Sequence, residues 1–112
     1  LPEQMHEDVL LGSRIVAELG ADVIKTFHTR DFRAVTGSCP VPVFGLGAEK
    51  LPTQRQALEL AAREVAEGAG GVVFGRNAIQ VPDPARFQAA LCDVVKLGKD
   101  VERAVKEYGL ES

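Results

Sequence analysis

Apolar positions along the chain follow two alternating rhythms: stretches with an apolar residue every three or four positions, and short β-branched runs bounded by glycine or proline. The first stretch, Val9 to Leu19, puts Leu11, Ile15, Val16 and Leu19 on one helical face, and Gly20 stands where a helix commonly ends in a left-handed residue. Ala21 to Thr26 then reads as a strand. Phe27 to Arg30 is irregular, and Asp31 is placed to cap a short helix that ends near Gly37. A second strand is expected over Val41 to Phe44, followed by a glycine-containing loop from Gly45 to Lys50. Thr53 and Gln56 spell a capping box ahead of a helix whose inward stripe is Leu58, Ala61, Ala62 and Val65, closed near Gly68. Gly71 to Phe74 is the third strand, and Gly75-Arg76-Asn77 leads into a single turn through Gln80. Asp83-Pro84 offers an N-cap and a proline at the first helical position, opening a helix with Phe87, Leu91, Val94 and Val95 inward and Gly98 at its end. A last helix from Asp100 turns Val101, Ala104, Val105 and Tyr108 inward, across the end of the domain.

Strands alternating with helices imply parallel βα units. Ala17-Glu18-Leu19-Gly20-Ala21-Asp22 and Ala66-Glu67-Gly68-Ala69-Gly70-Gly71 form a weak internal repeat at two of the helix-to-strand junctions. Right-handed crossovers progressing in one direction put every helix on one face of the sheet and leave the other face apolar and open. The expected fold is therefore α/β, three βα units of a (β/α)8 barrel, with residues 1–112 forming a single partial domain. A closed barrel of this kind takes roughly 250 residues, so the remaining strands are expected from residues outside this sequence, from another chain or from a different covering layer. Leu1-Pro2-Glu3-Gln4 has no initiator methionine and none of the basic or apolar regions of a signal sequence, as expected of a chain that starts within a longer protein.

Composition narrows the function classes. With 46% hydrophobic and 26% charged residues the chain is expected to fold, not to remain disordered. A net charge of −3, with Lys and Arg scattered among acids, supplies no basic field, which argues against nucleic acid as a partner. The apolar runs are a few residues long against the ~20 needed to span a bilayer, so no membrane role is expected. Cys39 and Cys92 have neither metal-ligand nor redox-motif spacing, and His6 sits alone in an acidic stretch. Reduced thiols, a cytoplasmic location, no metal and no cofactor are expected.

The chemistry of a βα barrel gathers at the carboxyl ends of its strands. A strand's period of two places Val23 and Lys25 on one face and Ile24 and Thr26 on the other, with Lys25 at the mouth. A lysine amine attacks a carbonyl only when unprotonated, which an enzyme arranges by burial among apolar groups or beside other cations. Position alone leaves a second reading open, in which Lys25 ends a strand in solvent or pairs with a carboxylate. After the third strand, Gly75 permits close backbone approach to an anion and Arg76 offers a fork of donors for phosphate oxygens. Gly47 and Ala48 in the preceding loop supply amides for the other half of such a cradle. His28, just past Lys25, is a further candidate for substrate contact; Glu49 and Lys50 read as a solvated rim.

Four stretches, in order and spacing, resemble the DeoC/LacD-type class I aldolase family: Gly20-Ala21-Asp22-Val23-Ile24-Lys25-Thr26, Cys39-Pro40-Val41-Pro42-Val43, Leu51-Pro52, and Gly70-Gly71-Val72-Val73-Phe74-Gly75-Arg76-Asn77. The resemblance runs from about Val9 onward and corresponds to the last three strands of the family barrel. It implies that Lys25 is the Schiff-base lysine and that the phosphate grip falls on Gly47, Ala48, Gly75 and Arg76. It further implies a phosphorylated carbonyl substrate and either a homo-oligomer or dependence on the remaining barrel strands. Two departures stand out. Ala48 occupies a position where the family commonly has a second adjacent glycine, and Phe27-His28 follow the lysine where several members have tyrosine. The family's acid/base tyrosine and its acidic partner come from earlier strands, and no residue of this chain matches them.

Overall fold

A computed structural model describes residues 1–110. The elements in order are α1 (Pro2–Glu18), β1 (Ile24–Thr26), α2 (Phe32–Ser38), β2 (Val43–Leu46), α3 (Gln54–Ala66), β3 (Gly71–Val73), α4 (Arg76–Ile79), α5 (Pro84–Leu97) and α6 (Val101–Tyr108). The chain divides into two compact units, one of Leu1–Leu46 with Glu64–Val73 and one of Gly47–Arg63 with the residues from Phe74 onward.

The first unit holds a parallel sheet of order β1-β2-β3, as the alternation of strands and helices requires. Ile24 pairs with Val43, Lys25 with Phe44 and Phe44 with Gly71, so residues in register share a face. Ile24 and Val43 turn into a core completed by Ala17, Phe32, Val35 and Ala69. Phe32 and Val35 are wholly buried there, which contributes roughly 1.5–3 kcal/mol each. Two of the strands are shifted from the sequence expectation. Ala21 donates its N–H to Val16 O and so belongs to the termination of α1, leaving β1 to start at Ile24. Pairing on the other side starts at the carbonyl of Pro42, which accepts from Ile24 N, and β2 runs on through Gly45 and Leu46, opposite Val72 and Val73.

The internal repeat is also a repeat of geometry. Gly20 and Gly68 have φ of 110° and 105°. In each case the glycine N–H donates to the residue three back, Ala17 or Val65, and the following alanine N–H to the residue five back, Val16 or Glu64. Only glycine adopts such a φ readily, so the two junctions end α1 and α3 by the same device.

Helix α1 corrects the sequence expectation in both extent and face. It begins at Pro2, seven positions before Val9, with proline in its first turn and Glu3 near its positive end. Leu11, Ile15, Val16 and Leu19 are exposed, and the buried positions are His6, Ser13 and Ala17. Small residues at 13 and 17 let the helix approach its neighbours closely. His6 Nδ1 lies 2.9 Å from Thr29 Oγ1, both buried, and Glu3 pairs with Arg30, so the first turns of α1 are tied to the segment after β1.

The second unit is built around Leu58, Phe87, Ala90, Val94, Ala104 and Val105. The capping box is formed as written in the sequence: Gln56 N donates to Thr53 Oγ1 and Thr53 N to Gln56 Oε1. Asp83 accepts from Arg86 N at the start of α5, and Asp100 accepts from Arg103 N at the start of α6. Asp31, by contrast, makes no capping bond to α2. Lys99 Nζ joins Asp93 Oδ2 at 2.8 Å and Glu107 Oε2 at 2.6 Å, while Tyr108 Oη donates to the same Asp93 oxygen at 2.6 Å. These bonds clamp α5 to α6. Among the described residues no helix is long and apolar enough to cross a membrane.

Candidate functional site

Register fixes where Lys25 stands. Ile24 faces the core, so Lys25 projects from the opposite face of the sheet, beside Phe44 and, one strand further, Gly71. Leu46 and Val73 follow on that same face by alternation, and Val23 precedes. Gly71 leaves room for the Phe44 ring, because a Cβ there would approach it to 2.9 Å. The face is thus apolar with one cation near the carboxyl end of its first strand. Lys25 is exposed, and Val23 and Val73 are 54% and 40% exposed, which matches the open, uncovered face expected of three βα units. A groove of about 650 Å³ runs between β1 and α1, lined by β1 with its flanking Val23 and Phe27 and by Met5, Asp8, Val9, Gly12, Ser13 and Val16 of α1.

His28 is turned to another task. Its Nε2 lies 3.0 Å from Glu67 Oε1, its ring packs at 5.2 Å from that of Phe32, and only a quarter of the side chain is exposed. Thr36 Oγ1 donates to the carbonyl of the same Glu67 at 2.7 Å. His28 therefore ties the segment after β1 to the end of α3. Glu64, one turn earlier on α3, is fully buried with its carboxyl where a Cβ at Gly45 would collide with it, so Gly45 is set by that approach.

The candidate phosphate loops lie in the second unit and touch each other. Arg76 Nη2 donates to Ala48 O at 3.1 Å, bringing together two of the residues singled out in the sequence. Gly47 is buried, and a Cβ on it would meet the Phe74 ring at 2.9 Å and Asn77 Nδ2 at 3.1 Å, so only glycine fits. Ala48 is exposed and left-handed, with φ of 55°, a conformation that disfavours residues bearing a Cβ by roughly 1–2 kcal/mol. Gly75 and Arg76 are exposed, and Gly75 has open space where a side chain would project. Asn77, quoted in the sequence motif without a role, is 1% exposed and binds the backbone of the Gly47–Leu51 loop at three points. Its only sequence signal was adjacency to Gly75-Arg76. Among the described residues no three His, Cys, Asp or Glu side chains gather as a metal-binding group, and both cysteines are free.

A 3-hydroxy-5-phosphonooxypentane-2,4-dione thiolase of Salmonella typhimurium is 41% identical over 99 residues, which cover 88% of this chain and 34% of the relative. The thiolase of the same name from Escherichia coli K12 is 38% identical over the same span, and an uncharacterized aldolase of Pasteurella multocida is 40% identical. An archaeal fructose 1,6-bisphosphate aldolase structure superposes with a TM-score of 0.76 at 33% identity, covering 85% of this chain and 38% of that one. The chain belongs to the DeoC/LacD-type class I aldolase family. Its three parallel βα units are a partial α/β barrel, the C-terminal part of the family fold. A second solved member, a Schiff-base-forming fructose-1,6-bisphosphate aldolase, superposes at 0.75 with 34% identity, covering 80% of this chain and 37% of that one. A third archaeal aldolase of the family, TM-score 0.73, carries its catalytic lysine covalently bound to the carbinolamine intermediate of its substrate. No family model matches the chain. The chain spans about a third of the length of the curated family members it matches.

Proposed function

We propose that this chain is the Schiff-base-forming part of a class I aldolase-type lyase acting on a phosphorylated ketose or a related carbonyl compound. The carrying observation is the placement of Lys25, a lone cation on the apolar face of the sheet near the carboxyl end of β1. Its Nζ, as the free amine, adds to the substrate ketone and water leaves to give a protonated imine; the hydroxyl on the far carbon of the scissile C–C bond then loses its proton, that carbon departs as an aldehyde, and the bonding pair flows onto the imine nitrogen to give an enamine. Protonation of the enamine carbon restores the imine, whose hydrolysis releases the product ketone and returns the amine. Gly47, Ala48, Gly75 and Arg76 are assigned to the substrate phosphate, a reading supported by the Arg76 to Ala48 contact and by the loops' origin at the ends of β2 and β3. His28 keeps a lesser place as a substrate contact, since its ring is engaged by Glu67. No cofactor enters this chemistry. The open face and free edge of β1 are assigned to further barrel strands or to a second copy, and the cell compartment to the cytoplasm.

One observation favours a second reading. Lys25 is exposed among the described residues, as suits a chain that binds phosphorylated metabolites without reacting with them. Incubation with dihydroxyacetone phosphate, borohydride reduction, digestion and mass spectrometry decide between the two. The aldolase reading expects a reduced adduct on the peptide containing Lys25 that is absent from Lys25→Ala. Phosphate binding without any trapped adduct, or an adduct indifferent to that substitution, would leave only the second.

A further inference from the structure

Three successive carbonyls of the loop after β2 point toward two adjacent side chains. Asn77 Nδ2 donates to Gly47 O at 3.3 Å and to Glu49 O at 2.8 Å, and Arg76 Nη2 donates to Ala48 O between them. Asn77 Oδ1 in turn accepts the N–H of Leu51 at 2.7 Å. A primary amide has two N–H donors and a carbonyl oxygen, so the buried side chain spends both donors and its acceptor on this one loop. All peptide bonds here are trans. In a planar trans peptide the carbonyl of one residue and the N–H of the next point in opposite directions. Drawing the carbonyls of 47, 48 and 49 toward Arg76 and Asn77 therefore turns the N–H groups of Ala48, Glu49 and Lys50 away from them. No protein acceptor meets those three amides among the described residues. Successive outward amides with a left-handed residue among them form a concavity of positive potential, and Ala48 is that residue.

We propose that Asn77 is a positioning residue, which holds the loop so that the amides of Ala48, Glu49 and Lys50 receive a phosphomonoester dianion. This deepens the phosphate assignment above and rests on it, while changing the donor set: Glu49 and Lys50 join Ala48 through their backbones, and Gly47 serves by close packing under Phe74 and Asn77, not by its own amide. Asn77 touches no substrate. It acts through the loop, much as a ligand in the outer shell of a site fixes the groups that do the binding.

The test uses the whole chain, isotope-labelled and titrated with inorganic phosphate while amide resonances are followed. Wild type is expected to shift at Ala48, Glu49 and Lys50, with the Leu51 amide protected from hydrogen exchange. Asn77→Asp keeps the acceptor for Leu51 and loses both donors; Asn77→Ala loses all three bonds. Either is expected to need about tenfold more phosphate, the equivalent of about 1.4 kcal/mol. In borohydride trapping, the same variants are expected to raise the half-saturating dihydroxyacetone phosphate by a similar factor and to leave trapping of unphosphorylated dihydroxyacetone unchanged. A merely structural role for Asn77 would depress both alike and would overturn the proposal, as would unchanged phosphate dependence in a folded variant. Should both variants unfold, the wild-type titration decides alone: shifts centred on Gly47 or Leu51 overturn the assignment, and shifts at the three outward amides sustain it. If wild type traps neither ketone, the Schiff-base reading fails while the phosphate titration still judges Asn77.

Discussion

Ala48 shows how a single backbone angle is a testable quantity. At φ of 55° its Cβ crowds the following carbonyl, and glycine removes that strain while adding freedom to the unfolded chain. These terms nearly cancel, so Ala48→Gly is expected to change stability by less than about 1 kcal/mol. Valine, branched at Cβ, has no comfortable left-handed state, and Ala48→Val is expected to cost roughly 1–2 kcal/mol. Chemical denaturation of the three proteins checks this; valine tolerated as well as glycine would mean that residue 48 is not left-handed in solution. Residue-scale legibility was uneven. Lys25, Gly47, Ala48, Gly75 and Arg76 were all singled out from strand ends and turn chemistry, but Asn77 was not given a role. Nothing local marks an asparagine whose three partners lie 26 to 30 positions away.

Among the elements, the two helix-to-strand junctions offer a matched pair. Gly20 has open space around its missing side chain, whereas a Cβ at Gly68 would collide with Thr36 Oγ1, which is bonded to Glu67 O. Gly20→Ala is expected to cost about 1–2 kcal/mol from backbone strain alone, and Gly68→Ala about 1–3 kcal/mol more from the displaced contact. Equal losses in thermal or denaturant unfolding would mean that the Thr36 contact carries no weight. The α5–α6 clamp predicts a pH profile. Hydrogen bonds from Lys99 and Tyr108 hold the Asp93 carboxyl below its ordinary range, and those from Lys99 and Arg103 do the same for Glu107. The same Asp93 and Glu107 bonds push Lys99 up to about 12, and the Asp93 bond raises Tyr108. Depressed carboxylates contribute stability above their unfolded values near 4, and lose it as pH falls through the lower folded values. Raised lysine and tyrosine contribute fully below their unfolded values near 10, and lose that contribution as pH climbs toward 12. The melting midpoint of the second unit is expected to be flat between about pH 5 and 9 and to fall on both sides. Lys99→Ala should lower and flatten that profile; an unchanged profile would show the clamp to be idle.

For the molecule as a whole, the decisive feature is an apolar sheet face whose outer strands, β1 and β3, are each paired on one side only among the described residues. Val23, Phe27 and Val73 are exposed on or beside that face, and the groove along β1 opens beside Lys25. The family resemblance implies that the acid/base residue comes from earlier strands, and no residue among these 112 matches it. The 112-residue chain by itself is therefore expected to form a reducible adduct at Lys25 and to show little or no sustained cleavage of a phosphorylated ketose. A coupled assay run beside the trapping experiment checks it. Turnover on the ordinary enzymatic scale, of order 1 per second or more, would mean that a proton-transfer group lies within these residues.

Local chemistry was settled by the sequence: the Thr53–Gln56 capping box, the glycine ends of α1 and α3, the caps of α5, and the parity that sets Lys25 against Ile24. Each depends on residues within a few positions of one another, where backbone geometry and side-chain reach leave few alternatives. Tertiary structure alone decided which face of α1 is buried, because the apolar stripe at 11, 15 and 19 and the small-residue stripe at 13 and 17 satisfy the same helical period. It also decided that His28 meets Glu67, that Glu64 lies under Gly45, and that Asn77 braces the loop after β2. These are choices among partners far apart in the chain, fixed by burial and hydrogen-bond completion and not by any pattern that neighbouring residues carry.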